Sequence, residues 1–255
     1  MSGEVPGYAE LEFDLPRALL NSLVSRLDHV QRVPLLQRNT SEIPEEQGVY
    51  QLFHKEVPVY VGKTDAKAGL MIRLTRHSRK VQHRVSLDPA DVTFKAIRVF
   101  VFTAVDIEGD LIRHYGGNSG LAWNGSGFGS NDPGRERDTT KNKPENFDYQ
   151  HPIDIDRPLD FGFSPLATAA DALNLVRANV PYTVRPQRHG SSRKLHLDLE
   201  STMVECSQAP MTTRQAVEMI VGQLPGGWQA TKLLGYLILY KEERSYPDAD
   251  VIARS

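Results

Sequence analysis

The sequence predicts an α+β fold: a small mixed β-sheet flanked by helices, with a helical extension before it and a further α+β region after it. Three observations predict this. Helix-like and strand-like apolar periodicities alternate through the first half in the order helix, strand, strand, helix, strand, helix. A long stretch rich in glycine, asparagine and charge, residues 116–148, then interrupts the pattern. Helical and strand signals resume after it. The expected divisions are 1–44 (helical extension), 45–150 (central unit) and 151–255 (second α+β region).

The first helix is expected from Pro16 to Val30. Asp14 suits its cap, Pro16 its first turn, and Leu19, Leu20, Leu23 and Leu27 recur on one face. Gln37 to Gln47 is polar and contains a proline. Gly48–Phe53 and Val57–Val61 are β-prone runs separated by Lys55 and Glu56, a hairpin pattern. Ala68–Val85 reads as a helix, Val92–Phe102 as a strand, and Val105–Tyr115 as a helix ended by Gly116-Gly117. In the last part a helix is expected from Ser164-Pro165 to Asn179. Strands are expected at Tyr182–Arg185, Leu195–Leu199 and Thr202–Cys206. A further helix capped by Thr212 or Thr213 and ended by Pro225-Gly226-Gly227 precedes one long strand, Trp228–Lys241.

With 255 residues, 40% hydrophobic and 24% charged, the chain has enough apolar content for a sizeable core, which argues against disorder. Its single cysteine, Cys206, excludes an intrachain disulfide and is expected to be a buried, inert thiol. The opening MSGEVPGYAELEFDLP has no basic segment followed by an apolar run, and no stretch approaches the ~20 apolar residues of a membrane span. A soluble, cytoplasmic protein with no membrane partner is the expectation. The net charge of −2 does not speak for nucleic acid, so the local distribution of charge has to decide that question.

The residues that carry chemistry lie between Gly48 and Asn124. The hairpin reads GVYQLFHKEVPVYVG, with Tyr50 in its first strand and Tyr60 in its second. The next helix carries Arg73 and His77, four residues apart and so on one face. Glu108 lies on the following helix, and Asn124 in the loop beyond. Two tyrosine triplets on a hairpin, then arginine, glutamate and asparagine in that order, resemble the GIY-YIG nuclease superfamily; Val49 and Val61 stand where that pattern has isoleucine. His77 four residues after Arg73, together with the run WNGSGFGSNDPGRERD from Trp123, is similar to the GIY-YIG type II restriction endonucleases that cut CCGCGG. The resemblance covers residues 48–138.

The resemblance implies hydrolysis of phosphodiesters in double-stranded DNA with Mg²⁺, for which Mn²⁺ substitutes. It also implies a homodimer and a companion DNA methyltransferase as a genetic partner. Elementary chemistry gives each residue a task. Glu108 is one hard carboxylate for magnesium, which keeps waters and takes phosphate oxygens. Arg73 offers a planar fork to a phosphate oxygen. Tyrosine is a poor base alone, with a pKa of ~10, so Tyr50 beside the attacking water calls for His77 as proton acceptor or direct base. Tyr60 is assigned to positioning the water or the phosphate, and Asn124 to bracing the loop and the glutamate side.

Local charge agrees. Lys63, Lys67, Arg73, Arg76, Arg79, Lys80 and Arg84 face only Asp65, a balance of +6 over residues 63–84 in a chain of −2. Such a strip suits a phosphate backbone. Lys63, Arg76, Arg79, Lys80, Arg84 and Arg135 are therefore expected to contact DNA. So are Arg188 and Arg193 on a second basic turn that also holds Arg185 and Lys194. Arg135 and Arg137 share their loop with Asp132, Glu136 and Asp138, which leaves an internal ion-pair network open as an alternative. Two other readings remain open for the whole chain: a structure-specific repair or mobile-element nuclease, and a DNA-binding module with a dead site. The N-terminal helix is the expected dimer surface, whereas the apolar run Leu233–Tyr240 is expected in the chain's own core.

Overall fold

A computed structural model describes residues 7–64, 67–100, 107–130, 134–190, 192 and 194–255. Helix α1 (Leu15–His29) starts where the sequence predicts, with the Asp14 carboxylate accepting the Arg17 amide at 3.0 Å. The polar stretch after it begins with a two-residue strand β1 (Val33–Pro34) and a short helix α2 (Gln37–Thr40). The hairpin follows as β2 (Gly48–His54) and β3 (Val57–Thr64). Lys55 and Glu56, with φ of 47° and 71°, turn it with both central residues left-handed, the twist that matches two paired strands. Then come α3 (Leu70–Lys80), β4 (Val92–Arg98) and α4 (Ile107–His114). Gly116 ends the last of these at φ 92°, a conformation glycine adopts without strain.

The four strands form one sheet in the order β1-β4-β2-β3, antiparallel at every pair. A mixed sheet is expected here; the one parallel pairing among the described strands lies instead in the second half. Strand alternation sends Tyr50, Leu52 and Tyr60 to one face, against Leu70 and Leu74 of α3 and Phe128. Val49 and Val61 point to the other, against Leu23 and Leu27 of α1 and Ile107 and Leu111 of α4. Because both faces are covered, the hairpin reads as nearly continuous apolar sequence. The leucine stripe of α1 is thus covered by the chain's own sheet and α4, which corrects the expectation that it forms a dimer surface.

The glycine-rich stretch contains two short helices, α5 (Gly117–Gly120) and α6 (Phe147–Gln150), and a 3₁₀ turn at Gly134–Thr139. The second half has its own sheet and core. Short strands β5 (Pro158–Leu159) and β6 (Leu166–Thr168) lead to α7 (Ala169–Asn179), β7 (Thr183–Pro186), α8 (Leu197–Ser201), β8 (Met203–Glu205) and β9 (Met211–Thr212). Helix α9 (Thr213–Val221), β10 (Trp228–Lys232), β11 (Tyr236–Lys241) and β12 (Asp250–Arg254) complete it. The larger sheet runs β12-β10-β11-β7, with β7 parallel to β11.

Several expectations change here. The helix expected from Ser164 is capped instead by Thr168, whose side chain accepts from Asp171 N. Leu195–Leu199, expected as a strand, holds the start of α8: the His196 ring accepts the Asp198 amide and caps a helix. The single strand expected over Trp228–Lys241 is a hairpin that folds between Lys232 and Tyr236. Thr212 does cap α9, in a reciprocal capping box with Gln215, but the helix ends at Val221. Leu233–Tyr240 lies in the chain's own core and Cys206 is a buried free thiol, both as expected.

Two buried carboxylates join the halves. Asp138 accepts from Arg185 (2.8 Å), Tyr236 (2.8 Å) and Tyr240 (3.1 Å), tying the 3₁₀ turn to the second sheet. Asp148 takes Arg84 at 2.8 Å, Arg137 at 3.4 Å and Lys80 at 3.9 Å. A Cβ on Gly235, in the β10–β11 turn, would lie 2.5 Å from Asp148 Oδ2, so the turn fits against this carboxylate only without a side chain. Asp148→Ala leaves Arg84 and Lys80 buried without their counter-charge. It is expected to cost about 3–5 kcal/mol of stability, measured by denaturant unfolding; a loss under about 1 kcal/mol would show that the hub is not structural.

Candidate active site

Four predicted residues meet on one face of the first sheet. The Tyr50 hydroxyl lies 2.8 Å from His77 Nε2, and Arg73 Nε donates to the same hydroxyl at 3.3 Å. The Tyr60 ring is 6.0 Å from that of Tyr50 and 5.4 Å from His77, centroid to centroid. The register explains the meeting. Tyr50 pairs with Gly62, and Leu52 with Tyr60, so both tyrosines leave the same face beneath α3. Leu70, Leu74, His77 and Ser78 are the buried positions of α3, and Arg73 lies one turn before His77, on the same face. A Cβ on Gly62 would lie 2.5 Å from Tyr50 Oη, so glycine at the end of the second triplet is the space the Tyr50 hydroxyl occupies.

Glu108 and Asn124 sit at the free edge of β3. The Asn124 amide clamps Val61 on both sides, Oδ1 accepting from its N–H and Nδ2 donating to its C=O, each at 2.9 Å. Trp123 N donates to Val59 O at 2.8 Å. Glu108, in the first turn of α4, accepts from Lys63 N at 3.4 Å. Helix α4 covers the sheet face opposite to Tyr50, so the half-exposed Glu108 carboxylate arrives at the strand edge, one residue beyond Gly62. Glu108 is a carboxylate that could hold a metal, since hard oxygens suit magnesium; among the described residues no group of three or more His, Cys, Asp or Glu side chains gathers as a metal site. Asn124 is a positioning residue, since both ends of its amide are engaged by Val61.

Two neighbours not foreseen complete the centre. Phe128 stacks on the His77 ring at 4.8 Å and 13° and packs edge-on against Tyr60 at 5.4 Å. The Gly129 carbonyl accepts from Arg73 at 3.2 Å and from Arg76 at 3.4 Å. Both lie in the GFG run, where an aromatic residue in a polar loop was the available signal.

Burial sets the electrostatics. The Tyr50 hydroxyl is held far above the usual phenol range, by burial first and then by Tyr60, against the pull of Arg73. His77 is held well below the usual histidine range by burial, then by the charges of Arg73, Arg76 and Lys80. Tyrosine and histidine are therefore a neutral pair. His77 Nδ1 is buried without a hydrogen-bond partner. If Tyr50 donates to Nε2, the ring proton sits on that unpartnered Nδ1, which costs about 1–3 kcal/mol and leaves Nε2 as the acceptor.

The expected DNA contacts divide. Arg76 and Arg79 are exposed on α3. Lys80 and Arg84 turn inward to Asp148, and Lys80 also donates to Gly127 O. Arg84, side chain 4% exposed, is a structural cation rather than a surface contact, because a carboxylate within the fold takes its charge. Lys63 has the parity of Val61, so its side chain leaves the face away from Tyr50. Arg135 pairs at 3.0 Å with Glu242, an acid of the second half rather than of its own loop. Arg188 is exposed on the second half. Arg193 lies outside the described residues.

No protein-family model matches the chain, and no curated protein matches it. Among the described residues no helix is long and apolar enough to cross a membrane.

A Cβ on Gly129 would lie 2.4 Å from Tyr60 Oη and 3.2 Å from Cζ. Gly129→Ala is expected to destabilise by about 1–3 kcal/mol, and most of that loss should disappear in a Tyr60→Phe background. Equal losses in both backgrounds, in a double-mutant cycle followed by thermal unfolding, would show that the two groups do not touch.

Proposed function

We propose that the chain is a magnesium-dependent phosphodiesterase of the GIY-YIG type that cuts duplex DNA. The observation that carries this is the convergence of Arg73 and His77 on the Tyr50 hydroxyl, with Glu108 at the adjoining strand edge. In-line hydrolysis needs a water relieved of its proton and charge neutralised on the phosphate. Tyr50 is neutral and strongly resists ionising, so it acts as a relay. As it takes the water's proton on oxygen, its own hydroxyl proton passes to His77 Nε2, and the phenol never carries a full charge. The resulting imidazolium is opposed by Arg73, Arg76 and Lys80, and the bound phosphates supply the compensating negative charge. Arg73 turns its fork to a non-bridging oxygen. A cation on Glu108 would supply Lewis acidity and stabilise the leaving oxygen.

The restriction role, a palindromic GC-rich target and the companion methyltransferase rest on the resemblance, and we carry them as part of the proposal. A site that holds one phosphate cuts one strand, so cutting both strands at a palindrome calls for two copies about a two-fold axis. With the stripe of α1 covered, the pairing surface lies elsewhere.

Glu108→Ala should abolish magnesium-dependent plasmid cleavage while duplex binding in magnesium-free buffer persists. Normal cleavage by the purified variant would remove Glu108 from the metal role and would weaken the nuclease reading itself.

The pH profile tests the relay. His77 must be neutral to accept a proton, and its folded-state value lies below the ordinary histidine pKa of about 6.5. Activity should therefore persist as pH falls through 6.5, and decline only once His77 takes up a proton further down. Since kcat/KM reports the free enzyme, its acid limb should have a midpoint clearly under ~6.5, and His77→Ala should lower the single-turnover rate by about 10²–10⁴-fold. A limb at or above ~6.5, or an unchanged rate in the variant, would assign the proton to another group.

A further inference from the structure

A basic cleft of about 450 Å³ lies between α3 and the start of β7. Arg76, Arg79, Lys80, Arg84 and Arg137 line it, and Asp148 is the acidic group among its lining residues. Lys80 is pushed down to about 8, by burial above all, with Arg84, Arg137 and Arg76 adding to it and Asp148 opposing. This cleft adjoins the Tyr50–His77 centre, because Arg76 and Arg73 donate to the same Gly129 carbonyl.

A second cleft, of about 670 Å³, lies on the other half and has no acidic lining residue among the described residues. Arg135, Arg177, Arg185 and Arg188 line it. Glu242 and Asp138 neutralise Arg135 and Arg185. Arg177 donates to Asn174, and neither it nor Arg188 has a carboxylate partner among the described residues. Thr183 lines both clefts. From Thr183 the chain runs through β7 to Arg188, five residues on. At ~3.3 Å per residue that is about 16 Å.

Resting on the phosphodiesterase reading, we propose that the two clefts form one track for the sugar–phosphate backbone of DNA, leading from the reaction centre past Arg76 and Arg79 to Arg177 and Arg188. A single small anion would fill one cleft only. A backbone of regularly spaced phosphates fits the cations that have no carboxylate partner among the described residues, Arg79 on α3, Arg177 on α7 and Arg188 just beyond β7, which are spread over two clefts rather than gathered around a point. The second half is then the part of the chain that grips DNA away from the cut.

The test is a salt titration of binding to a random-sequence duplex in magnesium-free buffer, followed by fluorescence anisotropy, with plasmid nicking in magnesium as a separate readout. Arg177→Gln/Arg188→Gln should bind at least about tenfold more weakly at low salt, and its slope of log affinity against log salt should be shallower by about 2, at ~0.9 per phosphate contact. Arg177→Lys/Arg188→Lys, which keeps both charges, should restore most of the slope. Both positions are exposed, and unchanged circular dichroism confirms that the variants are folded. If wild type nicks plasmid and the Gln variant binds with unchanged affinity and slope, the track is wrong and the catalytic reading stands. If wild type binds with the steeper slope and does not nick, the catalytic reading is wrong and the track stands.

Discussion

Strand β3 is the edge of its sheet, and the need to satisfy its outward backbone groups organises the candidate site. Edge strands leave a row of unpaired N–H and C=O groups, which either recruit another chain or must be answered within the fold. Here the answers come at alternate residues. Val59 O receives Trp123 N, Val61 is clamped by Asn124, and Lys63 N meets Glu108. Each contact positions something else. The Trp123 and Asn124 contacts fix the start of the glycine-rich loop, which places Phe128 and Gly129 over His77 and Arg73. The Lys63 contact brings a carboxylate round from the opposite face of the sheet. An asparagine that reads as catalytic by its position in a motif therefore acts one step back, clamping Val61 in the frame on which Tyr50 and His77 stand.

The sheet's interior face imposes the opposite constraint. Tyr50 and His77 are almost wholly buried, and hydroxyl and imidazole answer each other at 2.8 Å. Phe128, stacked on His77 and edge-on to Tyr60, holds those rings in place. Burial pushes Tyr50 and His77 toward their neutral forms, and the nearby cations reinforce that for His77. A pair held in this way stays uncharged. Arg73 is the exception, half-buried and bonded both to the pair and to the loop, so it links the neutral interior to the basic surface of α3.

Much of this was legible in sequence because local signals and final structure agree. The hairpin turn, the i,i+4 pair of Arg73 and His77, the Asp14 cap and the glycines that end helices each follow from a few adjacent residues. What was hidden depends on distant partners. Arg84 reads as one more cation in a basic strip, and its inward turn is set by Asp148, 64 residues away. The hairpin in Trp228–Lys241 is hidden because its turn is unusually apolar, Leu233-Leu234-Gly235, and Gly235 takes its meaning from Asp148 packed against it. Leu195, Leu197 and Leu199 alternate like a strand, yet the His196 cap favours a helix. Two-residue strands such as β1 and β5 have no periodicity to read at all.

The loop from Gly117 to Asp148 joins these two levels. Its first part, Trp123 to Gly129, closes over the Tyr50–His77 pair. Its last part delivers Asp138 to the second sheet and Asp148 to α3 and the β10–β11 turn. One continuous segment thus touches the candidate reaction centre at one end and locks the two halves together at the other. The same α3 that presents Arg73 and His77 also sends Lys80 to Asp148, two helical turns from Arg73. A change at the seam has a short mechanical route to the centre through α3 and through this loop. That coupling gives the length and composition of the segment a physical reason: glycines let it turn tightly beside Tyr60, aromatics anchor it, and its two buried aspartates fix where it ends.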